Sequence, residues 1–478
     1  MTSRRASLRT SAVNSVSTVK STIRNCLFNK NISGRPLRVA IRGTRHSYEF
    51  NDGTVIYDAS GGASVASLGR RQKRVEAGVM KQMQLGLSYV PSLAFDTPIV
   101  QNLAQCMIAS TDGKMSKAIF FGSGSEASEA GQKLTVQYHA KEKSNPQPSR
   151  TKFIARKQSY HGATLGALDL SGHEARKTLY RGILANNMHL LPPCNPYRNR
   201  SGGQTDEEYV QERKAELVEK ITELGPETVA GFILEPVVGA ALGCVPAVPG
   251  YLKAMREVCD EYDILLIFDE VMCGMGRTGY MHAWQQEDVV PDIQLLGKGL
   301  AAGFQAISGV LIGHKVAATF ENGPSNGAFW HGQTFQNLPV SCAAAVAVHH
   351  IIMDDKLLEN VREKGQLLER GLRKRLGDHR YVGDIRGCGL FWGLEFVLDK
   401  DSKKPFPPTY AINEEIYQWG LRNGIHVYPG AGSADGKSGD HIMISPAFDV
   451  TNEEIDFIVD RVAKVVEDYF DNFDLKHT

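Results

Sequence analysis

The sequence predicts an α/β protein: a large unit built on a mostly parallel sheet, followed by a small α+β unit at the C-terminus. Three observations carry this. From about residue 50 onward, short β-branched runs alternate with longer amphipathic stretches, as a parallel sheet with crossover helices requires. Several of the runs are apolar throughout, the mark of strands covered on both faces. After Pro339 the pattern changes to a long helical region, an apolar run and a last amphipathic helix.

The candidate strands are Lys117–Phe121, Lys152–Arg156, Gly231–Glu235, Ile264–Phe268, Ile293–Leu296 and Ile307–Ile312. Between them lie helical patterns over Ser125–His139, Asp206–Leu224 and Tyr251–Tyr262. The polar stretches Lys141–Ser149 and Asn195–Thr205 are rich in Asn, Pro, Ser and Gly and predict surface loops. Beyond Pro339, helix is expected from Val340 to about Leu376, then a run at Gly389–Val397. A final helix from Thr451 to Phe470 opens with the capping pattern Thr451-Asn-Glu-Glu454.

Composition narrows the function. With 42% hydrophobic and 22% charged residues, the 478-residue chain can bury a large core. A net charge of +1 argues against a dedicated nucleic-acid binder, and no apolar run is long enough to predict a membrane span. Eight scattered cysteines, with no C-x-x-C pair and no His cluster at ligand spacing, favour a reducing compartment and no metal site. The first 48 residues hold ten Lys/Arg and no Asp or Glu, with Val13, Val16, Val19, Ile23 and Leu27 at helical spacing. Such an Arg- and Ser-rich start is similar to a mitochondrial transit peptide, the alternative being a basic tail on a cytoplasmic protein.

Three strand ends carry chemistry. Ile264–Val271 sets Asp269 and Glu270 at the carboxyl end of an apolar strand, the edge where open α/β sheets bind ligands. Phe120–Ala127 runs from a strand through Gly122-Ser-Gly124-Ser125 into a helix, whose N-terminal N–H groups and dipole suit a phosphate. It also matches G-x-G-x-x-A, but the next strand ends in Arg156-Lys157 where a dinucleotide site needs an acid. Leu296-Gly-Lys298-Gly-Leu300 places a lysine among glycines, able to form an imine once its pKa is lowered. A phosphate cradle, a carboxylate for a pyridinium nitrogen and a Schiff-base lysine are what pyridoxal phosphate requires, and Tyr160-His161-Gly162 offers an aromatic cover for its ring.

From about residue 35 to the C-terminus the chain resembles the class-III pyridoxal-phosphate-dependent aminotransferases, which include the ornithine, 4-aminobutyrate and other ω-aminotransferases. The resemblance is densest in Ile233-Leu-Glu-Pro236, Pro249-Gly-Tyr251, Phe268-Asp-Glu-Val271, Gly274-Met-Gly-Arg-Thr-Gly279, Pro291-Asp292 and Leu296-Gly-Lys-Gly299. It implies fold type I of the pyridoxal-phosphate enzymes and a division into a basic extension (1–30), an N-terminal segment packing with the small domain (31–75), a large cofactor domain (76–345) and a small C-terminal domain (346–478). It also implies that Lys298 forms the Schiff base and shuttles a proton, and that Asp269 pairs with the pyridinium. Gly124 and Ser125 would hold the phosphate, Tyr160 and Val271 would flank the ring, and His161 and Glu235 would complete the site. Thr334, from the neighbouring subunit of a homodimer, would close the phosphate site.

The implied reaction is ping-pong transfer of an amino group from an amine or amino-acid donor to a keto acid or aldehyde. Decarboxylation, amino-group mutation or epimerisation on the same scaffold, and a non-catalytic cofactor binder, are the alternatives. Many family members carry a substrate-carboxylate arginine near Val427–Gly430 or His441–Pro446, and this chain has none there, Tyr428 and Met443 standing nearest. Arg386 and Tyr428 are therefore the substrate-binding candidates. Met272 stands where some relatives have a glutamine near the cofactor's phenolic oxygen.

Overall fold

Residues 37–477 are described by a computed structural model, and the chain enters them as a β-hairpin, Ala40–Thr44 with Ser47–Phe50. The basic extension 1–30 and its targeting pattern lie outside the described residues. The hairpin continues into Val55–Asp58, which pairs in parallel with Ile425–His426 from near the other end of the chain.

The central sheet has seven strands in the order Met115–Phe121, Ser308–Gly313, Ile293–Leu296, Leu265–Asp269, Val229–Leu234, Lys152–Arg156, Met188–Leu191. Only Ser308–Gly313 runs antiparallel to its neighbours. The strand Leu265–Asp269 is buried at every position because both faces are covered, each by alternate residues. Leu265 and Ile267 pack with Ala127, Ala130 and Leu134 of the helix Gly124–Gln137. Leu266 and Phe268 pack on the opposite face with Leu217 and Ile221 of Asp206–Leu224 and Met255 and Val258 of Tyr251–Glu261. The Asp206–Leu224 helix starts at a capping box between Thr205 and Glu208 and stops at Gly225, whose φ of 84° suits glycine.

A second, antiparallel sheet orders Val382–Cys388, Phe391–Phe396, His441–Ile444 and Tyr428–Gly430. The long helix Asn452–His477 packs beside it, its start capped reciprocally by Thr451 and Glu454 at 3.2 and 3.0 Å. The helical region expected over Val340–Leu376 is two helices, Pro339–Asp354 and Leu357–Leu376, broken where Lys356 takes a left-handed φ of 51°. One continuous apolar core joins Leu103, Leu300 and Ile351 to Leu368, Leu394, Ile444 and Val462, so the two sheets share buried surface. Among the described residues no helix is long and apolar enough to cross a membrane, and no group of side chains could hold a metal ion.

Candidate active site

The carboxyl edge of the central sheet opens into a cavity of 190 Å³ lined by Gly124, Ser125, Tyr160, His161, Gly162, Glu235, Ala240, Asp269, Val271, Met272 and Lys298. Strand order explains the convergence. Leu265–Asp269 lies between Ile293–Leu296, which delivers Lys298, and Val229–Leu234, which delivers Glu235.

Asp269 is buried at the strand end. Its Oδ1 accepts the Val271 N–H at 3.0 Å and its Oδ2 lies 2.8 Å from His161 Nδ1. A carboxylate can only accept, so Nδ1 carries the proton, and the buried Nε2 of His161 has no hydrogen-bond partner among the described residues. The His161 backbone is held by Ser171 Oγ, which accepts its N–H at 2.8 Å, and by Ser128 Oγ, which donates to its carbonyl at 2.6 Å.

Lys298 follows its strand in a single 3-10 turn with φ of 38°, a left-handed conformation that lysine rarely adopts. Burial lowers the pKa of its amine, opposed by the charges of Asp269 and Glu235. Glu235 spends both oxygens on backbone: one accepts the Tyr160 N–H and the other the Gly239 N–H, each at 3.0 Å. Burial pushes its carboxyl above the ordinary range, against those two donors.

The helix Gly124–Gln137 aims its N-terminus at the cavity. Ser123 and Glu126 form a capping box that satisfies each other's N–H, which leaves the N–H groups of Gly124 and Ser125 for an incoming acceptor. Space for that acceptor depends on glycine. A Cβ on Gly124 would stand 2.8 Å from Val271 Cγ1, and one on Gly162, at φ 140°, would stand 2.7 Å from Ser125 Oγ. A desolvated amine, a buried carboxylate across the cavity, an orphaned imidazole nitrogen and a glycine cradle at a helix N-terminus fit pyridoxal phosphate.

Nine sequence-predicted residues are accounted for as follows: Gly124, Ser125, Tyr160, His161, Glu235, Asp269, Val271 and Lys298 line one cavity, and Thr334 does not. Thr334 is exposed, although its neighbour Gln333 donates to Glu126 at 2.8 Å beneath the cradle. Arg386 must be corrected. Its guanidinium is buried, bonded to Asp384, Glu395 and the carbonyls of Leu242 and Gly243, so it has no free face for a substrate carboxylate. Tyr428 likewise lies outside the cavity lining, packed against the cluster of Met272, Phe391 and Met443. Gly162, quoted in the sequence with Tyr160 and His161, also lines the wall, whereas sequence reading missed Ala240 there and Arg176, an exposed residue whose guanidinium lies 5.0 Å from the Tyr160 ring centroid.

Comparison with known proteins gives the family. The chain matches the family described as aminotransferase class-III over residues 32–466. It is 47% identical over 420 residues to an aminotransferase of Gibberella zeae, covering 87% of this chain and 81% of that one. It is 42% identical over 457 residues to an uncharacterised aminotransferase of Schizosaccharomyces pombe, covering 96% and 98%. A PLP-bound amine transaminase from an uncultivated Pseudomonas species superposes with a TM-score of 0.85 at 29% identity, covering 93% of this chain and 98% of that one. The chain belongs to the class-III aminotransferases. It is a pyridoxal-phosphate-dependent transaminase of fold type I, and the decarboxylase, mutase and epimerase readings are not favoured.

Proposed function

We propose that this enzyme moves an amino group from a terminal amine to a keto acid, with Lys298 and Asp269 carrying the chemistry and Thr334 of the partner subunit completing the phosphate site of a homodimer. The observation that supports the reading best is a desolvated lysine amine sharing one cavity with a buried aspartate held by a backbone N–H and a histidine. Pyridoxal phosphate, when bound, supplies the electron sink that makes the amine-bearing carbon acidic.

The protein's own groups do the rest. Lys298 Nζ, whose pKa burial lowers, would take the proton from the amine-bearing carbon of the substrate and deliver it to the carbon on the far side of the nitrogen, two atoms away. Asp269, steadied by His161 and the Val271 N–H, would pair with the ring nitrogen of the cofactor and keep it protonated. The N–H groups of Gly124 and Ser125 would receive the phosphate, and Tyr160 and Val271 would hold the ring. Glu235 fixes the backbone of Tyr160 from beneath. We read residues 76–345 as the cofactor domain and 346–478 as the small domain that packs with 31–75.

The substrate class follows from charge. Of the described residues lining the cavity, Lys298 is the only lysine or arginine, and Ala240, Val271 and Met272 make its wall apolar. A donor without a carboxylate needs no further cation there, whereas the carboxylate of a keto acid would have to be met at the rim, where the Arg176 guanidinium lies 5.0 Å from the Tyr160 ring centroid. The test is the absorption spectrum of the purified holoenzyme, recorded with a panel of terminal amines and α-amino acids and no acceptor. Bleaching of the visible cofactor band by terminal amines, with release of a carbonyl product, is expected. Bleaching by α-amino acids alone would overturn the donor class, and Arg176 would then be the first cation to substitute.

A further inference from the structure

The cavity wall includes Ala240, which sits in the tip of a small hairpin formed by Val237–Val238 and Val245–Pro246. This tip, residues 239–244, touches the site in three ways. The Gly239 N–H donates to Glu235 at 3.0 Å, Ala240 faces the cavity, and Leu242 packs with Val238, Ala241 and Val245 against Tyr160. It is also conformationally costly, since Gly243 and Cys244 take successive left-handed φ values of 72° and 59°. A non-glycine residue such as Cys244 persists in that conformation only where its surroundings impose it.

The surroundings are side chains of the C-terminal sheet. Arg386, from Val382–Cys388, donates through Nε to the Gly243 carbonyl at 3.0 Å and through Nη2 to the Leu242 carbonyl. His441, from His441–Ile444, donates through Nε2 to the Ala240 carbonyl at 3.1 Å. The backbone of the intervening strand closes on the tip as well: a Cβ on Gly393 would stand 2.1 Å from the Gly243 oxygen. Arg386 is itself held by Asp384 at 3.0 Å and Glu395 at 2.6 Å, and Glu395 takes a second cation, Arg198 Nε, at 2.7 Å. Charge within this buried group is balanced, two arginines against two carboxylates. A guanidinium spans two carbonyls and two carboxylates at once, which an ammonium cannot.

We infer that Arg386, with His441, is a positioning residue for the transamination site: it clamps the 239–244 tip so that Ala240, Tyr160 and Glu235 keep the geometry in which cofactor and substrate bind. The inference rests on the proposed role of this cavity. It gives the C-terminal sheet a function in cofactor retention although none of its strands lines the cavity.

The experiment compares Arg386→Met, Arg386→Lys, His441→Leu and His441→Gln. Each is measured for thermal unfolding, for the pyridoxal phosphate dissociation constant of the apoprotein by fluorescence titration, and for kcat and KM of the folded holoenzyme. R386M and H441L are expected to raise the dissociation constant and lower kcat/KM about 10- to 100-fold, the cost of displacing aligned groups by about an ångström. R386K, which can reach one carbonyl, should lie between, and H441Q, which keeps a donor, should approach the wild type. A lowered unfolding temperature with wild-type cofactor affinity and kinetics in both R386M and H441L would overturn the inference. Should R386M fail to fold, H441L decides. Absence of transamination by the wild type would count against the proposed function, while cofactor affinity would still test the clamp.

Discussion

Asp269 faces the cavity and His161, whereas Glu270, one residue on, accepts the N–H groups of Ala283 and Trp284 at 2.6 and 2.9 Å. Strand alternation decides this: Asp269 continues the side of Leu265 and Ile267, and Glu270 the side of Phe268, where Trp284 also packs. Burial lifts the Glu270 carboxyl to about 7, against the two N–H groups that favour its ionised form. Function follows the cavity-facing partner. Lys298→Ala should abolish the visible band of the bound cofactor and lower turnover by about 10²- to 10⁴-fold or more while the protein stays folded, read by absorbance and steady-state rates. Asp269→Asn removes an ionic partner of about 1.5–3 kcal/mol, so equilibrium titration should show cofactor affinity falling about 10- to 100-fold. The two carboxylates are visible in the sequence as a pair, but which one meets the ligand depends on the faces, and the role of Arg386 is unreadable because the carbonyls it bonds, those of Leu242 and Gly243, lie about 140 residues away.

The elements that build the site were the most legible ones, because a strand buried on both faces leaves an uninterrupted apolar run. The runs Gly231–Glu235 and Ile264–Phe268 lie within one or two residues of the observed strands for that reason, while Lys152–Arg156 and Ile293–Leu296 match their observed limits although they include a Lys, an Arg and a Gln. The edge strand Met188–Leu191 and the hairpin Ala40–Thr44 with Ser47–Phe50 escaped notice, being mostly half-buried or exposed and so mixed in character. The break at Lys356 has neither glycine nor proline to announce it; Leu357 and Val361 simply find a new core face after the turn. The helix Gly124–Gln137 shows how an element can be tuned for a ligand against its own propensity. Alanine is the better helix former by about 1 kcal/mol, yet at position 124 its Cβ would press Val271 Cγ1 at 2.8 Å. Gly124→Ala is therefore expected to leave the unfolding free energy within about 1 kcal/mol of the wild type while weakening cofactor binding. Unchanged affinity, measured by titration of the apoprotein, would show that the cradle tolerates a methyl group.

At the scale of the whole molecule, exposed apolar side chains are close in sequence over residues 80–95, at Met80, Met83, Leu85, Tyr89, Leu93 and Phe95, and Trp330 and Phe335 are exposed on either side of Thr334 in the chain. The rings of Tyr89 and Phe335 lie 6.4 Å apart, which brings this surface to the exposed Thr334. A second copy seated here would cover the patch and carry Thr334 toward the other copy's cradle. Sedimentation should then give twice the chain mass. Thr334→Ala should weaken cofactor binding about tenfold although the residue lies outside its own cavity.

The two ends of the described chain are tied by a second device. His46, buried beside the N-terminal hairpin, has Nε2 2.8 Å from Asp449 Oδ1 and Nδ1 2.8 Å from Glu454 Oε1, at the start of the last helix. Both acceptors are carboxylates, so both ring nitrogens must carry protons and the ring is an imidazolium. Burial alone would lower its pKa, but the two carboxylates overcome that and raise it above the ordinary 6.5. Arg45, 3.5 and 3.6 Å from the same carboxylates, and the Tyr57 hydroxyl at 3.5 Å complete the surroundings. A raised folded-state pKa means that the contribution is complete below about pH 6.5 and is lost as pH rises through the folded value. Asp449 works in the opposite direction: burial favours its neutral form, yet His46 and Arg45 hold its pKa below the ordinary 3.8, so its share is lost in acid. The clamp is therefore strongest in the weakly acidic range. His46→Gln, which keeps a polar ring-sized group but no charge, should cost about 1–3 kcal/mol in urea unfolding at pH 6. The gap between variant and wild type should narrow as the pH is raised to 9, because the wild-type imidazolium is then losing its proton. A gap that stays constant from pH 6 to pH 9 would mean that His46 serves by shape alone, and that the charges of Arg45, Asp449 and Glu454 hold the hairpin to the last helix without it.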